Sequence, residues 1–236
     1  MGWWTLAMVA YPETQARAHA ELDAVVGRGR LPTFADYANL PYICAMVKEA
    51  LRWRPTGPLG APHRSTEDDW YEGMFIPKGT ICIANMWHMN RDPEIFGKNT
   101  EHFDPARYLD ASAPGSSDIK EQGHFTYGFG RRICVGRHMA DNSLFINIAV
   151  MLWSAKIERK KDASGNFYPL DLHKWVDIGL VASANIINTI VGANVGNSVD
   201  VRPPSNSRLL RASRRQLGCL HKNVNCGGYD HEVTWG

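Results

Sequence analysis

Apolar residues recur along this chain at two different periods, and the change of period divides it. In PYICAMVKEALRWR, Ile43, Met46, Val47, Ala50 and Leu51 follow the i, i+3, i+4, i+7, i+8 rule. That spacing predicts an amphipathic helix with one buried face, ended by Pro55. The segment PETQARAHAELDAVVG carries a looser stripe at Ala16, Ala20, Leu22, Val25 and Val26, with Pro12 at its start and Gly27 as its stop. Between Thr56 and Met89 the helical period vanishes. WYEGMFIP and TICIANMW read there as strands joined at PKG, forming a small sheet.

From Asn90 to Tyr127 the chain is polar and aperiodic, and so long an irregular stretch inside a compact domain is usually functional. A helix is expected from about Arg137 to Trp153. It is apolar nearly all round after Ser143, which calls for deep burial. ERKKDASGNFYPLDL reads as a hairpin turning at Ser164-Gly165-Asn166. After about Val181 the sequence becomes rich in Asn, Gly, Ser and Arg, without a period or an internal repeat. The expected organisation is a mainly α domain with a small β-sheet region over residues 1–181, followed by a divergent, disordered basic tail over 182–236.

Charge sharpens that division. The net charge is +2, yet Val201 to Lys222 holds six cations and no acid, leaving the rest mildly acidic. The main body therefore does not call for a nucleic-acid partner. The tail's RLLRASRRQ reads as a solvated run rather than a binding patch. The uncharged opening MGWWTLAMVAY and the run LFINIAVMLW are both too short to span a bilayer.

Five cysteines (Cys44, Cys82, Cys134, Cys219 and Cys226) are widely spaced and odd in number, and they include no C-x-x-C pair. A disulfide framework or zinc ribbon is not expected, and a reducing compartment fits best. Cys219-x-His221 with Cys226-x4-His231 departs from zinc-knuckle spacing and is not assigned a metal. Cys44 and Cys82, in a helix and a strand, read as core thiols. Trp53, Trp70, Trp87 and Trp153 read as core or rim aromatics.

Cys134 is different. In FGRRICVGRHMA, Phe129 to Ala140, it has Gly130 and Arg132 before it and Gly136 after it, at the mouth of the long apolar helix. Glycines let backbone N–H groups and a flat cofactor approach the sulfur. An arginine suits an anionic group, and a helix N-terminus favours a thiolate. Together these features describe one thiolate ligand beneath a carboxylate-bearing macrocycle, a heme held through sulfur.

The segment Tyr127 to Gly136, YGFGRRICVG, resembles the heme-binding loop of the cytochrome P-450 family of heme-thiolate monooxygenases, whose pattern is F-x-x-G-x-R-x-C-x-G. Four of its five fixed positions match, and Tyr127 stands where phenylalanine is usual. Glu49-Ala50-Leu51-Arg52 resembles the family's E-x-x-R motif, with both charges on one helix face. Phe103-Asp104-Pro105-Ala106-Arg107 resembles the segment whose arginine completes that cluster. Pro62-His63-Arg64 resembles the stretch that contacts a heme propionate, with His63 ahead of Arg64. The texture is most similar to fungal, microsomal-type members over roughly Trp4 to Val181.

This resemblance implies the carboxyl-terminal half of that fold. It implies heme b with Cys134 as the iron ligand, and His63, Arg132, Tyr127, Gly130 and Gly136 around the cofactor. Glu49, Arg52 and Arg107 would be a structural network. The implied activity is insertion of one oxygen atom from O2 into a small organic substrate, with electrons from an NADPH-dependent reductase. Members are usually anchored to the endoplasmic reticulum membrane. Without an anchor of its own, this chain is expected to be cytoplasmic or of unknown location. The acid–threonine pair of the family's distal helix is not matched, since Thr5 stands too close to the following helix. The alternative is therefore a catalytically silent truncated fragment, arising from a shortened or misread gene model.

Overall fold

A computed structural model describes residues 1–109, 122–173, 175–177, 182–184 and 199–202. Its centre is a group of helices: α1 (Gly2–Ala10), α2 (Pro12–Val25), α3 (Pro41–Trp53) and α6 (Arg137–Ser154). α1 is almost wholly enclosed, burying Trp3, Trp4, Leu6, Ala7, Met8 and Val9. α3 carries Ile43, Met46, Val47 and Ala50 of the predicted face inward, with Leu51 only partly buried and Trp53 buried in addition. The last three turns of α6 bury Phe145, Ile148, Leu152 and Trp153 against it, while the first turns are open. The sequence pattern placed both helices.

Polar groups fix how these helices meet. The Glu21 carboxylate of α2 accepts the Tyr42 and Ile43 amides at 2.8 and 3.1 Å, satisfying donors that the first turn of α3 leaves free. Gln15 pairs with both backbone groups of Ile157 at 2.9 and 2.6 Å. It thereby ties α2 to β5 (Ala155–Ile157), which follows α6 directly. Trp153 donates its indole N–H to the Gly27 carbonyl at 2.7 Å, just past the end of α2. A short 3₁₀ turn, Phe34–Asn39, is closed by a reciprocal Thr33–Asp36 capping box.

The segment between α3 and the cysteine loop contains β1 (His63–Arg64), β2 (Asp69–Tyr71), β3 (Met74–Ile76) and β4 (Ile81–Cys82). Here the strand reading needs correction. WYEGMFIP is not one strand but a hairpin, with β2 and β3 pairing antiparallel around Glu72-Gly73. Both turn residues have positive φ, 49° and 80°, the geometry of a tight two-residue hairpin turn. β4 then pairs with β1 rather than with β3, matching His63 to Cys82 and Arg64 to Ile81. The final Met-Trp of TICIANMW is helical, in α4 (Met86–Met89), because the Asn85 side chain accepts the His88 amide and starts a helix. α5 (Pro93–Phe96) is started in the same way by Asp92.

The hairpin expected near Ser164-Gly165-Asn166 is present as a Lys161–Phe167 bridge with Gly165 at φ 85°. β6 (Trp175–Asp177) pairs antiparallel with β7 (Ala182–Ala184), and β5 with β8 (Val199–Val201). Arg202 donates to the Leu152 carbonyl at 3.0 Å and pairs with Asp23, so the described part of the 182–236 segment lies on the helical body. Cys219, His221, Cys226, His231 and most of the basic run fall outside the described residues. Among the described residues no helix is long and apolar enough to cross a membrane.

Candidate functional site

Two linked structures surround Cys134: a buried ionic strut and an open cavity. The strut begins on α3. Glu49 and Arg52 stand one turn apart, and Arg52 reaches back with Nε and Nη2 to the two Glu49 oxygens at 2.7 and 2.8 Å. Both side chains are 0% exposed. Such a pair holds its charge in the interior only if the remaining donors and lone pairs are also satisfied. Here they are. Arg52 also donates to the carbonyls of Asn90 and His102 at 2.8 and 3.3 Å. Glu49 Oε1 accepts the Asp104 amide at 2.8 Å and Arg107 Nε at 3.1 Å. Burial pulls the Arg52 guanidinium down, but the bonds to Glu49 outweigh it and leave its pKa raised.

Arg107 lies in a 3₁₀ turn, Pro105–Tyr108, begun by Asp104 accepting the Ala106 amide. From there it gathers the carbonyls of Phe96, Asn99 and His102 at 2.5, 3.2 and 3.3 Å. The structure thus brings Glu49, Arg52 and Arg107 together, and through them pins the irregular segment onto α3.

The strut reaches the cysteine loop through a residue that the sequence reading did not single out. Asn90 is fully buried. Its carbonyl takes Arg52, its Oδ1 takes the Phe125 amide at 2.8 Å, and its Nδ2 donates to Thr126 Oγ1 at 3.0 Å. Thr126 in turn donates to the Leu51 carbonyl at 2.7 Å. Nothing in local periodicity marks Asn90, since its three partners are 35 or more residues away.

The loop itself is shaped by backbone. The Cys134 amide donates to the Tyr127 carbonyl at 2.9 Å, closing the loop on itself. Gly128 and Gly130 have φ of 72° and 65°, a left-handed conformation that favours glycine, with open space where a Cβ would point. Gly136 is the N-cap of α6, and a Cβ there would lie 3.8 Å from Cys134 Sγ. The sulfur therefore sits at the head of α6 with room beside it, and Cys134 is exposed.

A cavity of about 590 Å³ opens above it, bordered by His63, Tyr127, Arg132 and Cys134 together with apolar residues such as Leu59 and Ile83. That volume falls within the ~300–1,000 Å³ of small-molecule and cofactor sites. Gly130 and Gly136 are not among its lining residues and act through the loop's backbone. Arg64 is not either. Its guanidinium lies beside Gly79, so only the histidine of that pair faces the cavity.

Three expectations about single residues are corrected. Cys82 is not a core thiol: β4 is exposed on both residues, and Cys82 lines the cavity. Cys44 is only half-buried, with its thiol 3.5 Å from the Tyr37 carbonyl, and burial raises its pKa to about 11. Trp70 sits on the outward hairpin and is exposed, whereas Trp53 and Trp153 are core. In each case a two- or three-residue strand or a helix edge gave too short a window for period to tell inside from outside.

The donor set fits a large, flat, anionic group held by one sulfur. Two exposed thiols, an arginine and a histidine edge a cavity whose Leu59, Ile83 and Phe129 side chains are at least half exposed, and of the two thiols Cys134 is the one at the head of α6. Among the described residues no cluster of three or more His, Cys, Asp or Glu could hold a metal ion.

Comparison with known proteins agrees with this geometry. The family profile of cytochrome P450 matches residues 1–172. A cytochrome P450 monooxygenase of Armillaria gallica is 67% identical over 184 residues, covering 77% of this chain and 35% of that protein. Cytochrome P450 monooxygenase 58 of Postia placenta is 55% identical over 179 residues, covering 75% of this chain and 34% of its own length. This chain thus spans about a third of the curated relatives it matches. A zebrafish cytochrome P450 structure determined with abiraterone superposes with a TM-score of 0.65 at 30% identity, covering 85% of this chain and 43% of that one. Fold, loop and relatives converge, and this chain belongs to the cytochrome P450 family of heme proteins.

Proposed function

We propose that this chain is the heme-ligating part of a monooxygenase that inserts one oxygen atom from O2 into a small organic substrate, using electrons from an NADPH-dependent reductase. The observation that carries the reading is the convergence of Cys134, Arg132, His63 and Tyr127 on one cavity. Heme b is the proposed cofactor, with Cys134 as the iron ligand. When bound, thiolate-held heme would supply the electron-transfer and O2-activating chemistry.

The chain's own residues bind and orient. Arg132 and His63, which line the cavity, would hold the propionates by charge-assisted bonds. Gly130 and Gly136 keep the loop low enough for a flat ring to lie against it. Tyr127 anchors the loop from behind. Glu49, Arg52 and Arg107 hold the surrounding backbone still and touch neither cofactor nor substrate. The apolar wall from Leu59 to Phe129 supplies dry contact area for the ring.

A second reading is heme binding without turnover. It is favoured by the exposure of the residues just past the ligand: Val135 is 94% exposed and Met139 77%. Hemin titrated into the purified chain, followed by reductase, NADPH and ¹⁸O₂ with a panel of small organic compounds, separates the two. The monooxygenase reading expects one equivalent of hemin bound and one labelled oxygen per product. Saturable binding with no labelled product supports the second reading, and no saturable binding contradicts both.

A further inference from the structure

Tyr127 stands where the family pattern has phenylalanine, and the structure shows what the added hydroxyl does. Its backbone carbonyl accepts the Cys134 amide at 2.9 Å. Its Oη donates to Asp141 Oδ1 at 2.7 Å. Asp141 lies on α6, seven residues past the sulfur, so Cys134 is bracketed from both sides through one residue. Phenylalanine would supply only the first of these anchors. The His124 ring meets the Tyr127 ring edge-on with centroids 5.0 Å apart, fixing its plane.

We infer that Asp141, acting through the Tyr127 hydroxyl, is a positioning residue that locks the Cys134 loop to the head of α6 and so fixes where the sulfur points. The inference rests on Cys134 being the iron ligand. Backbone bonds elsewhere in the loop are local: Ile133 N–H to Gly130 O at 3.2 Å and Arg137 N–H to Cys134 O at 3.4 Å. Tyr127–Asp141 is the side-chain link that spans from before the cysteine to beyond it. A phenol-to-carboxylate bond is charge-assisted and short, and stronger than a neutral pair.

The test uses the full chain. Iodoacetamide is applied under native conditions, and alkylation at Cys134, Cys44 and Cys82 is followed by peptide mass mapping in the parent, Y127F, D141A, D141N and the Y127F/D141A pair. Y127F and D141A are each expected to speed alkylation of Cys134 about 3- to 10-fold, the factor that loss of one net hydrogen bond corresponds to. The double variant should match either single variant, because both break the same bond. D141N keeps an acceptor oxygen and should stay within about twofold of the parent. Cys44 and Cys82 should not change. In hemin-loaded protein, Y127F and D141A should move the iron midpoint potential in the same direction and without adding.

Equal Cys134 rates in all variants would overturn the inference. So would effects that multiply in the double variant, or a rise shared by Cys44 and Cys82. If the parent takes up no hemin but the alkylation coupling holds, the cofactor reading fails and the clamp stands.

Discussion

Glu49 and Arg52 are joined by two bonds of 2.7 and 2.8 Å inside a shell that admits no solvent, and every remaining polar atom of the pair is taken by backbone or by Arg107. A single cut leaves a bare charge in the interior. R52A is expected to destabilise the chain by about 3–5 kcal/mol, the usual cost of orphaning one partner of a buried pair. R52K should also fail to restore stability, because an ammonium lacks the planar fork that spans Glu49, Asn90 and His102. Chemical denaturation of the two variants measures both. An R52A midpoint within about 0.5 kcal/mol of the parent, the ordinary range for a surface substitution, would mean the pair is not structural.

Asn90 couples this strut to the loop that carries the cysteine. N90A would strand the Phe125 amide and remove the Thr126 contact, at about 1–3 kcal/mol for an unsatisfied buried donor. N90D keeps an acceptor for Phe125 but loses the donor to Thr126, and should fall between N90A and the parent. Thermal unfolding ranks the three. Equal midpoints would remove Asn90 from the connection.

Acid sensitivity is expected from buried His124 and partly buried His19. Burial, and then nearby Lys48, lowers His124 from 6.5 to about 3. Burial, and then Arg202, lowers His19 to about 4. A histidine whose folded pKa is depressed binds protons more readily when unfolded. Its contribution is therefore complete above about pH 6.5 and drains away as pH falls toward 4 and 3. H124Q should flatten the loss of stability between pH 6.5 and 4, read from denaturation midpoints across that range. An unchanged slope would mean that His124 is protonated in the folded chain.

Gly130 is expected to tolerate no side chain for conformational rather than steric reasons. Its φ is 65°, yet nothing lies within 4 Å of the Cβ position. G130A should cost about 1–2 kcal/mol, the penalty of holding an L-residue in the left-handed region. Hemin uptake should fall with it as the loop shifts. Stability and uptake both equal to the parent would show that the loop does not need this conformation.

Much of this was legible before the fold was known. The α3 face follows from spacing, the burial of α6 from its being apolar nearly all round after Ser143, and the cysteine loop from residue types around one thiol. The hairpin at Glu72-Gly73 was not legible, because a glutamate at φ 49° gives no turn signal of its own. The outward placement of Cys82 was hidden for a related reason. Two-residue strands such as β1 and β4 owe their position to pairing across 16 intervening residues, not to an alternating pattern. Asn90 and Asp141 were invisible because their roles lie in bonds to distant or helix-separated partners.

The central claim is that iron is held by the sulfur of Cys134 in the cavity it borders. The most direct measurement is the carbon monoxide difference spectrum of the hemin-loaded, dithionite-reduced chain, taken beside C134H. Thiolate ligation predicts the red-shifted Soret band of a sulfur-bound carbonyl complex in the parent, replaced in C134H by the shorter-wavelength band of imidazole ligation. The same band in both proteins, or an imidazole-type band in the parent, would contradict it.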